Sequence, residues 1–410
     1  HANGDTNGVA HALRLSTTPA RELPGTYPLV VANILAAERH GAVVANHVRF
    51  VAPRFDESGG VAGAELQDEA TGTRLDLDAL YLVYAGGAWT DTLRGAAGDG
   101  QLLRPTKGVH IVVPRSRLPI QSTVVMNAVA DKRGVFAVPY ENTTYIGTTD
   151  TDYDGDLDAI RATATDVDYL LETTNAYFPE QHLTAQDVRS SWAGLRPLIR
   201  TDVTSAYKTS REHEQMDDSR GLTTIAGGKL TTYRLMAEEV VDAVVKGCKR
   251  SGREGFKRCQ THQTPLDPDL PRFSTPLMEP ADPFEAMLWR TYGSGMTWIR
   301  DRMGSHPQEA ERVDPALQIV LAQVSAAVIR EHALTLQDVL ARRLQIYHRS
   351  PDQGLSAAEP VASHMAELLG RDAAWIQEQV AAYGAWVAFH NRGSLALDVE
   401  IGPSGAPAHA

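Results

Sequence analysis

The sequence predicts an α/β protein that carries an inserted, mainly antiparallel domain and ends in an all-α domain. Two short apolar strands, ending near Tyr84 and Ile225, run into glycine turns, and the second turn opens a helix. Between them, from Leu103 to Asp150, the sequence has the pattern of a series of alternating strands. Beyond residue 283 the apolar residues recur at helical spacing. An α/β domain is therefore expected to be interrupted by one domain and followed by another.

Composition limits the class of protein. The 410 residues are 43% hydrophobic and 22% charged, which suits two or three globular domains. A net charge of −12 argues against a nucleic-acid partner. The two cysteines, Cys248 and Cys259, are too few for a disulfide framework or a zinc motif and fit a cytoplasmic location. No apolar run is long enough to span a membrane, which leaves peripheral attachment open.

The first part of the α/β domain is predicted over residues 27–103. Residues 1–26 are rich in Ala, Gly, Asn and Thr and begin with His, so we expect an atypical leader that is not the natural N-terminus. The expected elements are a helix over Tyr27–Arg39, strands over Ala42–Val51 and Tyr81–Tyr84, and a hairpin over residues 65–83. The last strand enters the glycine turn Ala85–Trp89. Ligands collect at such carboxyl ends of parallel strands.

Residues 104–221 are predicted to form the inserted substrate domain. The clearest strands are Val109–Val113, Thr123–Met126, Val135–Val138 and Thr144–Gly147. Asp166–Phe178 has the pattern of a helix with Asp166 near its N-cap. His110 is placed at the beginning of a strand, and Arg196 in a short turn over Gly194–Leu198.

Residues 222–250 are predicted to return to the α/β domain, through the strand Leu222–Ile225 and a helix that stops at Gly247. Gly227-Gly228-Lys229 lies where the strand becomes the helix. Glycine lets a ligand approach the main chain closely, and a helix start favours negative charge. On local pattern alone, an anion site and an ordinary turn with a surface lysine are equally favoured.

The remaining segments are predicted to be a linker at 251–283, an all-α domain at 284–392 and a disordered tail at 393–410. Helices are expected over Pro315–Glu331 and Ala373–Phe389. Thr335–Asp338 resembles a capping box with Asp in place of the usual Glu. The apolar stripes of this region are interpreted as core packing.

Two motif searches give negative answers. No G-x-G-x-x-G dinucleotide fingerprint occurs, because Gly98–Leu103 and Gly293–Trp298 each lack the third glycine. The acidic run Asp150–Asp158 resembles the start of a calcium loop, but its twelfth position holds Arg161 and the preceding segment is a strand. A solvated turn, or a supporting role for Asp150, is favoured instead, and no metal site is predicted.

Three side chains are candidates for a site. Arg196 stands between apolar residues, so we expect it to be partly buried and to need an anionic partner such as a carboxylate or phosphate. Arg211 lies in a polar stretch, where a solvated surface charge is the favoured interpretation. His110 follows Lys107-Gly-Val, and taken alone it is more typical of a structural histidine.

Taken together, several motifs resemble the FAD-dependent glycerol-3-phosphate dehydrogenases, in that family's order and at compatible spacing. They are Lys107-Gly-Val-His110, Ile146-Gly-Thr-Thr-Asp150-Thr-Asp152, Ala193-Gly-Leu-Arg196-Pro-Leu and Gly227-Gly-Lys229-Leu-Thr-Thr-Tyr-Arg234. The helical part adds Tyr292-Gly-Ser294, Thr335–Arg343 and Gly354-Leu-Ser-Ala-Ala. The resemblance covers about residues 27–392.

The resemblance implies a glutathione-reductase-like FAD domain, interrupted by the substrate domain and followed by the helical domain. It implies oxidation of sn-glycerol 3-phosphate to dihydroxyacetone phosphate by hydride transfer to FAD. Electrons would pass to a quinone at the inner membrane face. The resemblance is also compatible with a homodimer and with peripheral membrane contact of a cytoplasmic protein.

The family positions matched here also imply the site residues. The implied catalytic residues are His110, Arg196, Arg211 and Lys229. The three cations among them suit a phosphate dianion, and His110 is the candidate base. The implied cofactor contacts are Val48, Ala85, Gly86, Gly194, Gly227, Gly228, Lys229, Leu230 and Thr231. A helix start beside Lys229 would stabilise the negative charge of reduced flavin.

Two departures from the family pattern matter. The family's Asn-Ala-Thr-Gly-Pro-Trp turn is Tyr84-Ala-Gly-Gly-Ala-Trp89 here, which preserves the backbone shape but loses the Asn and Thr side-chain bonds. The family's N-terminal phosphate-binding strand–turn–helix has no counterpart in residues 1–26, so we expect an incomplete FAD domain. One alternative is therefore an inactive remnant that retains a phosphate- or partner-binding surface. A less favoured alternative is an amino-acid oxidase of the same flavin superfamily.

Overall fold

A computed structural model describes residues 26–200, 213–267, 269 and 281–391. The strands are β1 (Val48–Phe55), β2 (Val61–Asp68), β3 (Arg74–Asp78), β4 (Leu82–Tyr84), β5 (Leu103–Pro114), β6 (Val124–Asn127), β7 (Gly134–Tyr140), β8 (Thr143–Gly147), β9 (Thr151–Asp152), β10 (Ser190–Ile199), β11 (His213–Asp218) and β12 (Leu222–Gly227). The helices are α1 (Thr26–Arg39), α2 (Thr90–Ala96), α3 (Ala164–Tyr177), α4 (Tyr233–Arg250), α5 (Pro283–Tyr292), α6 (Met296–Ser305), α7 (Leu321–Ile329), α8 (Ile346–Arg349), α9 (Ala358–Leu369) and α10 (Ala373–Asn391). The predicted leader, Arg211 and the predicted tail lie outside the described residues, apart from Thr26.

Two small sheets build the α/β part. β1, β2 and β3 form an antiparallel sheet, while β4 lies parallel to β12, which pairs with β11. The ring of Phe50 in β1 packs edge-on against Tyr84 in β4, with 5.2 Å between ring centroids. The parallel pair joins Leu82 to Leu222, so the chain leaves this sheet after β4 and returns to it after the inserted domain.

The inserted domain is a larger antiparallel sheet with the strand order β10-β5-β8-β7-β6, and β9 pairs with β5. Helix α3 packs on one face of it. Thr163 and Asp166 form a capping box at the start of this helix. The Asp166 carboxylate also accepts a 2.6 Å hydrogen bond from Nζ of Lys107 in β5, in a buried position. One carboxylate thus begins the helix and attaches it to the sheet.

The C-terminal domain is helical in the described part of the chain. Its core includes Leu340, Ile346, Val361 and Met365, all fully buried. The predicted capping box is confirmed, because Thr335 and Asp338 exchange backbone and side-chain hydrogen bonds. No helix in the described residues is long and apolar enough to cross a membrane.

A polar contact joins this domain to the α/β part. His47, just before β1, lies with its Nε2 2.8 Å from Asp338 Oδ2. Burial alone would raise the pKa of Asp338, but the His47 hydrogen bond and the charges of Arg342 and Arg343 hold it well below its usual range. Asn46 adds a 2.6 Å hydrogen bond to the carbonyl of His332.

The predicted fold class is confirmed, and several element limits are corrected. The strand expected at Ala42–Val51 begins at Val48, and the helix expected at Pro315–Glu331 is confined to α7. The residues before α7 form a turn instead, because Val313 donates its N–H to the carbonyl of Ile319 and Asp314 caps the turn. The predicted domain limits stay predictions.

Two further corrections concern the predicted site. Residues 194–198 form no turn, since they lie within β10, and His110 lies in the middle of β5. Pro197 is accommodated in β10 because this strand lies at the edge of the sheet. Helix α4 continues through Gly247, which is a packing residue: an added Cβ there would run into the Tyr81 ring.

Candidate active site

One face of the inserted sheet carries three of the predicted site residues, His110, Gly194 and Arg196. Side chains alternate along a strand, so Gly108 and His110 of β5 share a face. Their cross-strand partners in β10 are Gly194 and Trp192, and Arg196 follows on the same face. On the other side of β5, Gly147 of β8 lies opposite His110. The three strands β5, β8 and β10 therefore present a cation, a histidine and three glycines together.

Arg196 is held by polar partners on this face. Its Nη1 donates to Asp150 Oδ1 at 3.0 Å, and its Nη2 donates to Thr148 Oγ1 at 3.0 Å and to the carbonyl of Thr149 at 3.1 Å. Asp150 is itself buried. Of the two interpretations offered for Asp150, its burial and its bond to Arg196 favour the supporting role over the solvated turn. A quarter of the Arg196 side chain is still exposed, so the guanidinium is fixed in orientation while remaining accessible.

His110 stands next to Arg196 with an unusual environment. Its ring stacks on Trp192, with 4.7 Å between centroids and 7° between planes. Its Nδ1 is buried and has no hydrogen-bond partner among the described residues. Burial, followed by the charge of Arg196, lowers the pKa of His110 to about 3. The imidazole is therefore neutral near pH 7.

The C-terminal domain packs against Trp192, the ring on which His110 stacks. His348 packs edge-on against Trp192 at 4.9 Å, and Tyr145 of β8 does so at 5.2 Å. His348 Nδ1 also lies 3.2 Å from Ser190 Oγ of β10. Burial lowers the pKa of His348 to about 3, so this ring too is neutral. The position of His110 therefore depends on packing between two domains.

The glycine turn after β12 lies close to the same sheet. Gly227 and Gly228 have φ angles of 74° and 82°, a region that favours glycine. Ala226, just before them, packs against Leu103 and Ile199, where β5 begins and β10 ends. The turn is thus placed beside the Arg196 end of the face.

The residues after this turn are open to solvent. Lys229, Leu230 and Thr231 are exposed, and Lys229 precedes a 3-10 turn over Leu230–Thr232 that leads into α4. An exposed lysine at this helix start makes the region favourable for a negatively charged group.

The turn after β4 lies at the carboxyl end of the neighbouring parallel strand. Ala85 is exposed, and Gly86 starts a 3-10 turn over Gly87–Trp89. Ala88 in this turn packs into the core of the inserted domain. Val48, the other predicted cofactor contact, is the first residue of β1. The structure thus brings the two glycine turns toward one edge of the inserted sheet.

The acidic run shows ordinary pairing. Asp150 bonds Arg196, and Asp152 bonds Arg104 at 2.7 Å. Asp156 accepts the backbone N–H of Asp158 within the turn. In the part of the chain that the structure describes, no group of three or more His, Cys, Asp or Glu residues could hold a metal ion.

The two glycine turns and Lys229 fit the ring end of a flavin. Two parallel strands end in neighbouring glycine turns, and exposed backbone with a cation follows the second turn. Such a place accommodates a flat ring with an anionic edge, because the main chain can approach it closely. The sequence contains no G-x-G-x-x-G fingerprint for the pyrophosphate end.

The comparison with known families defines the class. The family model "FAD dependent oxidoreductase" matches residues 25–234, and the model "C-terminal domain of alpha-glycerophosphate oxidase" matches residues 281–376. The fold and these matches are those of an FAD-dependent oxidoreductase.

Individual relatives narrow the class. Aerobic glycerol-3-phosphate dehydrogenase from Staphylococcus haemolyticus is 39% identical over 56% of this chain and 42% of its own length. Alpha-glycerophosphate oxidase from Streptococcus pneumoniae is 33% identical over 87% and 69% of the two chains. The crystal structure of glycerol-3-phosphate dehydrogenase from Bacillus halodurans, complexed with FAD, is 33% identical. It superimposes with a TM-score of 0.76 over 91% of this chain and 74% of its own.

The chain belongs to the FAD-dependent oxidoreductases, in the family that contains the glycerol-3-phosphate dehydrogenases and alpha-glycerophosphate oxidase. This confirms the resemblance found in the motifs. The chain spans about two-fifths of the first of these relatives and about two-thirds of the second.

Several residues of the site were missed from the sequence. Trp192, Tyr145 and His348 were not predicted to surround His110, and Gly108 and Gly147 were not recognised as its neighbours. Alternation along a long β5 would have placed Gly108 on the face of His110. No local signal indicates His348, which reaches the site from the C-terminal domain.

Proposed function

We propose that the protein oxidises sn-glycerol 3-phosphate to dihydroxyacetone phosphate with FAD as the cofactor. The observation that carries this proposal is the shared face of Arg196 and His110, next to the glycine turn that ends at Lys229. A cation of the kind that suits phosphate and a neutral imidazole on one face, beside glycine turns that suit a flavin ring, support this reaction. The family relationship supports the same reaction.

FAD would be held at its ring end by the two glycine turns. Ala85 and Gly86 follow β4, and Gly227 to Thr231 follow β12. Gly194 lies opposite Gly108 on the sheet face, and we propose that it leaves space for the ring. Val48 contacts the cofactor from the start of β1 in this proposal. When bound, FAD accepts the hydride that leaves C2 of the substrate.

The substrate phosphate would be bound by cations. Arg196 offers a planar fork that suits phosphate oxygens, and its contacts with Asp150 and Thr148 fix the direction of that fork. Lys229 adds a charge from the helix start. Arg211 completes the set of cations in this proposal, solely because it matches a family position around the substrate.

His110 would receive the proton of the C2 hydroxyl group as the C2 hydride departs. Its neutral state allows this, because a base must be unprotonated before it acts. A pKa of about 3 makes His110 a weak base in the free protein. Burial is the larger cause of this low pKa and the charge of Arg196 the smaller, so a phosphate dianion bound at Arg196 would raise the pKa of His110 by offsetting the second cause alone.

The electrons would then leave to a quinone, which is the acceptor we propose on the family resemblance. A cytoplasmic protein that touches the inner face of the membrane would meet such an acceptor, as a monomer or as a homodimer.

The proposal is tested by dye reduction with the FAD-supplemented chain and a panel of substrates. We expect sn-glycerol 3-phosphate to reduce the dye, and glycine and D-alanine to leave it unchanged. Turnover of the amino acids would favour an amino-acid oxidase. Failure to retain FAD, together with retained binding of phosphate, would favour an inactive remnant.

A further inference from the structure

Two glycines lie directly under the two functional side chains of the sheet face. A Cβ added at Gly108 would lie 2.5 Å from Nη2 and 2.7 Å from Nη1 of Arg196. A Cβ added at Gly147 would lie 2.5 Å from Cγ and 2.7 Å from Nε2 of His110. Real Cβ atoms do not approach other atoms so closely, so each side chain occupies the space that its glycine leaves empty.

Backbone conformation does not explain these glycines. Neither Gly108 nor Gly147 has a positive φ angle, so a left-handed backbone is not the reason for glycine at either position. Both lie within the register of the antiparallel sheet, Gly108 opposite Gly194 and Gly147 opposite His110. What the two positions require is therefore empty space above the strand.

The empty space sets the orientation of both groups. With Gly108 beneath it, the Arg196 guanidinium lies low enough to reach Asp150 and Thr148. A methyl group would also meet Thr148 Oγ1, at 2.7 Å, and would displace one of these partners. With Gly147 beneath it, the His110 ring lies across β8 while its other side stacks on Trp192.

We propose that Gly108 and Gly147 are positioning residues, whose missing side chains let Arg196 and His110 lie side by side over the sheet. The geometric part of this inference needs no ligand. Its consequence for catalysis rests on the proposed function, since it assumes that Arg196 and His110 act on the substrate.

The first test is a double-mutant cycle measured by thermal unfolding of the full chain. Gly147→Ala should lower the Tm of the wild-type protein, but it should leave the Tm of the His110→Ala protein unchanged, because the clashing ring is gone. Gly134→Ala is the matched control, since Gly134 lies in β7 of the same sheet and an added Cβ there meets nothing within 4 Å. An equal loss of Tm with and without the His110 ring would overturn the inference.

The second test follows the side chains themselves by NMR. The His110 ring signal, identified by its loss in His110→Ala, should shift in Gly147→Ala and stay unchanged in Gly134→Ala. The Arg196 Nε signal, identified by its loss in Arg196→Lys, should shift in Gly108→Ala. If the His110 and Arg196 signals do not shift in the glycine variants, the positioning role is contradicted, even if those variants have a lower Tm.

The third test connects position to catalysis in the FAD-supplemented chain. Misplacement of a reacting group by about 1 Å costs about 10²-fold in rate, so kcat with sn-glycerol 3-phosphate should fall on that order in Gly147→Ala. A full wild-type rate in Gly147→Ala would overturn the inference. Absence of turnover in the wild type would instead contradict the proposed function, while the Tm and NMR results would still decide the positioning role.

Discussion

At the scale of single residues, the candidate site depends on a few side chains whose freedom is removed by their neighbours. Arg196 is fixed by Asp150 and Thr148, and His110 by Trp192 and the space over Gly147. Lys229 differs, because it is exposed and precedes a helix start. The fixed residues and the exposed residue therefore respond differently to substitution.

Lys229→Met should weaken use of sn-glycerol 3-phosphate strongly while leaving the free energy of unfolding nearly unchanged. The reason is that an exposed side chain contributes little to folding, whereas its charge would bind the substrate phosphate or stabilise reduced flavin. Steady-state kinetics and chemical denaturation measure the two effects. Lys246→Met, an exposed lysine farther along α4, is the matched control. A wild-type rate in Lys229→Met would refute the assigned role.

Arg196→Lys should raise KM for sn-glycerol 3-phosphate by about tenfold or more, since lysine keeps the charge but cannot keep both bonds of the guanidinium fork. The control is Arg117→Lys, because Arg117 forms a forked pair with both carboxylate oxygens of Asp187 but lies beyond Pro114, at the opposite end of β5 from Arg196. Steady-state kinetics over a range of substrate concentrations give KM for both variants. An equal change of KM in both variants would show that Arg196 does not bind the substrate phosphate.

At the scale of elements, the inserted sheet presents one face to the site and the other to α3. The Lys107–Asp166 ion pair holds α3 to β5 on the face opposite His110. Both side chains are largely buried, so the charge of each must be compensated by the charge of the other. The motif residue Lys107, adjacent in sequence to the site, thus has a structural role.

Asp166→Asn should destabilise the protein by about 3–5 kcal/mol, because it leaves the buried Lys107 ammonium without a counter-charge. Asp78→Asn, which breaks the exposed Arg54–Asp78 pair, should cost no more than about 1 kcal/mol. Urea denaturation of both variants measures the difference. If the two substitutions cost the same, the Lys107–Asp166 pair does not anchor the helix.

The strands and turns also show which elements could be predicted from the sequence and which could not. Alternation and glycine punctuation correctly predicted the antiparallel strands and the parallel return at β12, because these patterns report local burial. Gly-Leu-Arg-Pro-Leu was wrongly assigned to a turn, since Gly and Pro are typical of turns and nothing local shows that β10 pairs with β5 along its whole length. The same error hid the alternation that places Arg196 on the face of His110.

At the scale of the whole molecule, the C-terminal domain completes the surroundings of the site. His348 comes within hydrogen-bonding distance of Ser190, 158 residues away in the chain, and packs on Trp192. Such long-range contacts carry no local sequence signal, which is why the sequence predicted the domain but not its contribution. The packing also creates a group of buried neutral histidines.

Acid should destabilise the molecule through these histidines. Burial lowers the pKa of His348 to about 3 and that of His390 to about 4, whereas both would titrate at 6.5 when unfolded. Between these values the unfolded state binds more protons, so stability is complete above pH 6.5 and is lost as the pH falls toward 4. Each histidine should contribute about 1.4 kcal/mol per pH unit in this window.

Denaturant titrations at several pH values measure this slope. His348→Gln should reduce the slope of unfolding free energy against pH by the contribution of one histidine. His40→Gln, at an exposed position, should leave this slope unchanged. A slope that is the same in His348→Gln and in the wild type would show that His348 is not buried in its neutral form.

The most direct measurement is an anaerobic titration of the FAD-supplemented chain with sn-glycerol 3-phosphate, followed by the visible absorbance of the flavin. We predict that the flavin is bleached by sn-glycerol 3-phosphate in the wild type, and that His110→Ala and Arg196→Lys slow this bleaching strongly. A protein that retains FAD but is not bleached by sn-glycerol 3-phosphate, or is bleached equally well by glycine, would contradict the proposed function.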